Sequence, residues 1–117
     1  MTAWPEYESA ALEFLQKRGL VLVARNFRCR TGEIDLVMMD GDTLVFVEVR
    51  ARASPEMGSA AESITPAKRR RILSAARYYL MKHDAQPDCR FDAVLFEGKD
   101  EPEWIRGAFM EAEDRFR

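Results

Sequence analysis

Two carboxylates set in apolar segments are the residues best suited to chemistry in this sequence. Asp35 lies in GEIDLV at 32–37, and Glu48 lies in LVFVEVRAR at 44–52. A carboxylate in so apolar a segment costs free energy unless a partner compensates it. One interpretation is an ordinary ion pair between Glu48 and Arg50 on a half-exposed strand face. The other is a cation shared with Asp35, and two carboxylates without histidine favour Mg²⁺ or Mn²⁺ over zinc.

The turn between the two segments decides whether the carboxylates meet. The residues DGD at 40–42 are typical of a β-hairpin. A two-residue turn at Asp40-Gly41 pairs Met39 with Asp42. Asp35 then faces Phe46, and Glu48 lies one diagonal step away on the same sheet face. A four-residue loop gives the same parity, whereas a three-residue loop would put the two carboxylates on opposite faces.

A lysine lies on the apolar stripe of the predicted second helix. Lys68 is followed at helical spacing by Ile72, Ala75 and Tyr79. A lysine in such a position either snorkels outward or points across the sheet towards the carboxylates. The sequence leaves both orientations open.

Charge is distributed unevenly along a chain of net charge −2. Residues 17–82 carry 13 basic and 7 acidic residues, whereas the two flanking segments are acidic. Arg69, Arg70 and Arg71 lie in the first turn of the second helix, where the helix dipole disfavours them and some countercharge is expected. They could contact phosphates of a polyanion, or they could be a solvated basic helix start.

Length and composition restrict the possible classes of protein. The 117 residues predict one domain, 1–117, and no apolar run approaches the roughly 20 residues that cross a bilayer. The acidic start does not resemble a signal peptide, and two cysteines are too few for a disulfide framework, so we expect a cytoplasmic protein without a membrane partner. His83 is the only histidine, which disfavours Ser-His-Asp catalysis and a histidine-rich zinc site.

Periodicity and turn residues predict the order α-β-β-β-α-β-β. Thr65-Pro66 is expected to open the second helix as N-cap and first residue, and this helix should end near Lys82. This order predicts an α/β fold with a mixed central sheet flanked by helices. The other predicted elements are a helix from Pro5 to about Lys17, strands at 21–27, 33–39, 43–50, 90–96 and 103–109, and a loop at 51–63.

Two further acidic residues have structural interpretations. Asp92 shares a strand face with Arg90, which predicts an Arg–Asp pair at the surface. Glu8 lies beside Leu12 and Leu15 at helical spacing, so it faces inward or lies at the boundary of the core.

GEIDLV, followed after a short hairpin by VFVEVRAR, resembles the YraN-like family of uncharacterised bacterial proteins. The resemblance covers nearly the whole chain. Other matching segments, in order, are Glu8-x-x-Ala11 with Leu15 and Gly19, Arg25-Asn26, Lys68-x-x-Arg71-Ile72 with Tyr79-Leu80, and Arg90-Phe91-Asp92.

That family resembles the restriction-endonuclease-like nucleases, including archaeal Holliday-junction resolvases. The resemblance implies an αβββαβ core and a D…(D/E)-x-K motif that binds a catalytic Mg²⁺. It implies that Asp35 and Glu48 are metal ligands, that the Val49 carbonyl is a further ligand, and that Glu8 completes the site. The motif ends in lysine, but Arg50 stands at that position here.

The exchange of lysine for arginine leaves three functions open. Arginine stays charged and cannot act as a base, although its planar fork binds phosphate well. Lys68 is our candidate for a relocated lysine in a nuclease acting on branched or damaged DNA. The alternatives are a non-catalytic nucleic-acid-binding domain and an interaction module without a nucleic-acid role. Because one small domain offers little surface to branched DNA, and relatives that cut junctions act as dimers, a homodimer is expected.

Overall fold

The computed structural model describes residues 4–52, 64–83, 88–98 and 101–109. They form seven elements in the predicted order, so the prediction of α-β-β-β-α-β-β is confirmed. The elements are α1 (Trp4–Gln16), β1 (Val21–Cys29), β2 (Gly32–Asp40), β3 (Thr43–Arg52), α2 (Pro66–Lys82), β4 (Asp88–Glu97) and β5 (Glu103–Phe109). Most of the loop predicted at 51–63 lies outside the described residues, and its first two residues continue β3.

The five strands form one mixed sheet in the order β1-β2-β3-β4-β5. β3 and β4 are parallel and are connected through α2, whereas the other neighbouring strands are antiparallel. This arrangement agrees with a restriction-endonuclease-like αβββαβ core, so the predicted fold class is confirmed. Among the described residues, no helix is long and apolar enough to cross a membrane.

The two helices pack on opposite faces of the sheet, because alternate residues of β3 face opposite ways. Val45, Val47 and Val49 belong to the core cluster that contains Ala11 and Leu15 of α1. Leu44 and Phe46 belong to the cluster that contains Ile72, Leu73 and Tyr79 of α2. Two apolar layers therefore hold β2 and β3 in the centre of the molecule.

The hairpin register differs from the predicted one by two residues. Asp40 pairs with Thr43 and Leu36 pairs with Val47, so the turn consists of Gly41 and Asp42. The prediction that Asp35 faces Phe46 is therefore wrong, because Val37 occupies that position. A shift of two residues preserves the parity of the strand, so Asp35 and Glu48 remain on the same sheet face, next to the pair of Leu36 and Val47.

The start of α2 is fixed by its cap and by close contact with β2. The Thr65 hydroxyl accepts a hydrogen bond from the Lys68 backbone N–H (3.2 Å), and Pro66 is the first helical residue, as predicted. Gly32 lies against the backbone of Arg71 so closely that a Cβ atom there would collide with the Arg71 carbonyl. The helix thus rests directly on the beginning of the strand that carries Asp35.

Candidate functional site

Asp35 and Glu48 are both buried, at 4% and 8% exposure, and their carboxyl groups are hydrogen-bonded to each other. Burial raises the pKa of Asp35 to about 9, and the neighbouring charge of Glu48 adds to this effect. The Val49 backbone N–H donates a hydrogen bond to Asp35 Oδ2 (2.8 Å), which partly opposes the rise in pKa. The two carboxylates converge, as the sequence predicts, and burial disfavours negative charge on both of them.

Glu48 is held between this partner and two basic residues. Burial raises its pKa, while the charge of Arg50, the hydrogen bond from Asp35 and the charge of Lys68 each oppose the rise. Arg50 Nη1 lies 3.2 Å from Glu48 Oε2. The ion pair between Glu48 and Arg50 that the sequence allowed is therefore present, and Asp35 lies beside the same carboxylate.

Glu8 of α1 faces inward and is 4% exposed, which excludes the boundary position. Its charge contributes to the raised pKa of Asp35, and its carboxylate lies 4.0 Å from Arg25 Nη2. In the described part of the chain, no three His, Cys, Asp or Glu side chains are grouped so that they could hold a metal ion. The pair that the structure brings together is Asp35 and Glu48, with Glu8 close enough to act through its charge.

An open cavity of about 460 Å³ lies above the carboxylate pair. Its walls come from the turn between β1 and β2, from the facing parts of β2 and β3, and from the first turns of α2. Five basic and three acidic residues line it: Arg28, Arg30, Arg50, Lys68, Arg71, Glu33, Asp35 and Glu48. The cavity therefore has an acidic floor and predominantly basic walls.

Lys68 lines this cavity and is half-buried. Its positive charge opposes the rise in the pKa of Glu48, so its side chain lies within electrostatic range of that carboxylate. Of the two orientations that the sequence left open, the structure has the one towards the carboxylates.

The three consecutive arginines of α2 do not form one surface. Arg71 lines the cavity and Arg70 is exposed. Arg69 is half-buried, and its Nε atom finds no hydrogen-bond partner among the described residues. Because successive helical residues point about 100° apart, only part of this cluster can face one ligand at a time.

Two basic residues at the end of β1 and in the β1–β2 turn line the cavity, and we did not predict their role from the sequence. Arg28 and Arg30 both line it, and Thr31 Oγ1 is 2.5 Å from Ser74 Oγ of α2. Arg28 and Arg30 are two positions apart at the end of the strand, a spacing that predicts side chains on the same face of the sheet. Nothing in the sequence indicated that the turn closes against α2.

Asp92 is fully buried rather than part of a surface pair, so that prediction is corrected. It accepts hydrogen bonds from Arg90 Nε (2.9 Å) and Nη2 (3.0 Å), from Trp104 Nε1 (2.9 Å) and from the Gly107 N–H (3.0 Å). Arg90 Nη2 also binds Asp40 Oδ2 (2.8 Å). This cluster ties β5 and the hairpin to β4, and its function is structural.

The fold and the site define a mixed α/β protein with a buried carboxylate pair beneath a basic cavity. The model of the uncharacterised protein family UPF0102 matches residues 7–96, a range that contains every residue of the carboxylate pair and the cavity walls. The chain belongs to this family, so the predicted membership of the YraN-like proteins is confirmed.

Individual relatives are similar over most of their length. A UPF0102 protein of Nitrosomonas eutropha is 55% identical over 104 residues, which cover 89% of this chain and 90% of the relative. A UPF0102 protein of Nitrosospira multiformis is 55% identical over 104 residues, 87% of each chain. A UPF0102 protein of Aeromonas hydrophila is 52% identical over 106 residues, 88% of this chain and 81% of the relative.

Proposed function

We propose that the chain is a metal-dependent endonuclease, a phosphodiester hydrolase that acts on branched or damaged DNA. The observation that carries the proposal is the hydrogen-bonded pair of Asp35 and Glu48 on the floor of a cavity with basic walls. Buried acidic pairs with strongly raised pKa values are concentrated at functional sites, and basic walls suit a phosphate-bearing substrate.

The residues present fit a divalent cation. Asp35 and Glu48 offer hard oxygen donors, and a cation would offset the negative charge that their burial disfavours. We propose that these two residues hold Mg²⁺ or Mn²⁺, with the Val49 carbonyl as the further ligand that the nuclease resemblance implies. Glu8, the other ligand implied by that resemblance, acts on the site through its charge rather than by direct coordination. When bound, the metal would lower the pKa of a water molecule and offset charge on the phosphate under attack.

The remaining residues have distinct roles in this proposal. The Val49 N–H fixes the orientation of the Asp35 carboxylate. Arg50 and Lys68, both on the cavity wall, stabilise the charge that develops on the reacting phosphate. Lys68 also takes the water-orienting role of the motif lysine, because arginine stays protonated at physiological pH and cannot accept a proton from water. Arg71 and the flanking Arg69 and Arg70 provide phosphate contacts that do not depend on base sequence.

A second candidate function is a nucleic-acid-binding domain without catalysis. The contact between Arg50 Nη1 and Glu48 Oε2 favours it, because a guanidinium already neutralises one of the two carboxylates. Such a domain would bind DNA without a divalent ion, would release it with rising salt concentration, and would not cut it.

Cleavage assays separate the two candidates. Labelled four-way junction, duplex and single-stranded DNA are incubated with the chain, with and without Mn²⁺. The nuclease proposal expects cleavage that requires Mn²⁺ and that Asp35→Asn abolishes, while circular dichroism shows the variant folded. Unchanged cleavage by Asp35→Asn would exclude the mechanism. Salt-sensitive binding without cleavage under all conditions would instead establish the second candidate.

We also propose that the chain acts on branched DNA as a homodimer, since one carboxylate pair serves one strand at a time and two strands must be cut. Sedimentation equilibrium of the chain with and without junction DNA tests this expectation. A stable 1:1 complex of chain and junction would contradict it.

A further inference from the structure

The carboxylate that would bind a cation already has a cationic partner on its own strand. Arg50 Nη1 lies 3.2 Å from Glu48 Oε2, and the two side chains are only 21% and 10% exposed. Of the influences that keep the pKa of Glu48 from rising further, the charge of Arg50 is the largest. The ion pair is thus partly shielded from solvent, where electrostatic interactions are strong.

A metal ion and this guanidinium would compete for one carboxylate. Both carry positive charge, and like charges in contact with the same group repel strongly in a poorly solvated site. Cation binding at Glu48 therefore weakens the contact between Arg50 and Oε2 and favours movement of the Arg50 side chain away from that oxygen. The loss of this ion pair reduces the net affinity for the cation.

Arg50 lines the cavity and therefore faces any phosphate that enters it. Glu33, another acidic residue of the cavity wall, already pairs with Arg28 at 3.1 Å. A phosphate that enters the cavity would supply a new partner, because a guanidinium fork binds phosphate oxygens in a bidentate manner. A phosphodiester would therefore accept the arginine that the cation displaces.

We propose that Arg50 links metal binding to phosphate binding: it occupies Glu48 in the free protein and transfers to the substrate phosphate when the cation binds. The inference rests on the proposed metal site. By thermodynamic reciprocity, phosphate must raise the affinity for the metal by the same factor as the metal raises the affinity for phosphate. Free protein then binds metal weakly, and substrate promotes loading of the site.

Electron paramagnetic resonance of free Mn²⁺ measures the metal affinity, with and without deoxythymidine 5′-monophosphate as the phosphate probe. The parent chain should bind Mn²⁺ at least tenfold more tightly when the probe is present. Arg50→Met should bind Mn²⁺ at least tenfold more tightly than the parent without the probe and should gain little from adding it. Arg50→Gln, a second neutral variant, should behave in the same way and covers the case in which the methionine variant does not fold.

Arg28→Met is the matched control. This variant removes an arginine that lines the same cavity and also pairs with a glutamate. The Arg28–Glu33 pair is far more exposed, however, with side chains that are 73% and 57% accessible to solvent. Because exposed charges are screened, the Mn²⁺ affinity should change less than about twofold and the effect of the probe should persist. A gain equal to that of Arg50→Met would show that only total charge matters and would overturn the inference.

Asp35→Asn distinguishes failure of the inference from failure of the metal site. If this variant binds Mn²⁺ like the parent, the proposed metal site itself is wrong. If it loses Mn²⁺ while both Arg50 variants keep the parent affinity and the parent response to the probe, the metal site stands and the role of Arg50 is refuted.

Discussion

Burial of Asp35 at neutral pH opposes folding. Its pKa rises from 3.8 to about 9, mainly because burial disfavours the charged form. A group with a raised pKa in the folded state stabilises the fold most at pH values below its unfolded pKa, and this stabilisation is lost as the pH rises towards the folded pKa. In the free protein, this residue therefore lowers stability progressively between about pH 4 and pH 9.

Asp35→Asn is expected to raise the free energy of unfolding at pH 7 by roughly 2–4 kcal/mol. The amide oxygen can still accept the hydrogen bond from the Val49 N–H, and the amide has no charge to bury. Urea unfolding between pH 4 and pH 9 should show a flatter profile for the variant. Glu33→Gln, at an exposed carboxylate on the cavity rim, should follow the parent profile. Parallel profiles for all three proteins would contradict the proposed loss of stability from burying Asp35.

At the scale of residues, the sequence identifies the important carboxylates, but it does not predict all of their hydrogen-bond partners. Asp35 and Glu48 could be recognised because each interrupts an apolar strand and the hairpin parity sets them on one face. The burial of Asp92 could not be predicted, because two of its four hydrogen bonds come from Trp104 and Gly107 on the next strand. Local patterning shows Arg90 beside it but contains no information on the packing of β5.

The position of α2 relative to β2 depends on the absence of a side chain at Gly32. The backbone of Arg71 occupies the space that a Cβ atom would take. This contact sets the distance between the helix that carries Lys68 and the strand that carries Asp35, so it controls the width of the cavity.

Gly32→Ala should destabilise the protein by about 1–3 kcal/mol, because the added methyl group forces helix and strand apart. It should also weaken DNA binding at the cavity. Thr65→Ala is the control, since loss of the N-cap costs about 1 kcal/mol without separating the two elements. Thermal unfolding and DNA titration measure both effects. A Gly32→Ala variant as stable as the parent would show that the contact does not set the spacing.

Asp92→Asn should lower the free energy of unfolding by about 2–4 kcal/mol. The amide NH₂ group would face donors whose hydrogen bonds the carboxylate accepts. The effect is a property of the β4–β5 pair, which loses hydrogen bonds from both strands. Asp88→Asn, at the exposed start of β4, should change stability by less than about 0.5 kcal/mol. Urea unfolding of the two variants provides the comparison, and equal stabilities would refute the structural role of Asp92.

At the scale of elements, types and boundaries could be predicted from periodicity, whereas the hairpin register could not. The residues DGD allow a turn at Asp40-Gly41 or at Gly41-Asp42. The structure has the second, with Gly41 at φ 62°, as a type II′ turn requires of its first central residue. Asp40 then remains in the strand, where it binds Arg90. That long-range ion pair favours the observed register and has no local signature.

The whole molecule has a net charge of −2, yet the cavity above Asp35 and Glu48 has mostly basic walls. Net charge alone therefore gives no guide to the proposed partner, because the local field near the cavity acts on an approaching polyanion. The basic middle of the sequence predicted such a surface. The concave shape of the cavity could not be predicted, because it depends on contact between the β1–β2 turn and α2. Thr31 and Ser74, which meet there, are 43 positions apart in the sequence.

The double variant Arg70→Gln with Arg71→Gln removes two arginines near the cavity and should weaken DNA binding. The slope of the logarithm of the DNA association constant against the logarithm of salt concentration should become smaller in magnitude by about 1–2. Arg77→Gln with Lys82→Gln removes the same charge from the far part of α2 and should leave the slope nearly unchanged. Fluorescence anisotropy over a range of salt concentrations gives both slopes. Equal slopes for the two double variants would place DNA elsewhere, and absence of DNA binding by the parent would favour an interaction module.

The central claim is that Asp35 and Glu48 form a metal site, and a crystal structure with Mn²⁺ tests it most directly. The anomalous signal of manganese locates the ion without reference to activity. We predict an anomalous peak bound by both carboxylates, with the Arg50 guanidinium displaced from Glu48 Oε2. A structure at saturating Mn²⁺ with no peak between the carboxylates, and with Asp35 still hydrogen-bonded to Glu48, would contradict the claim.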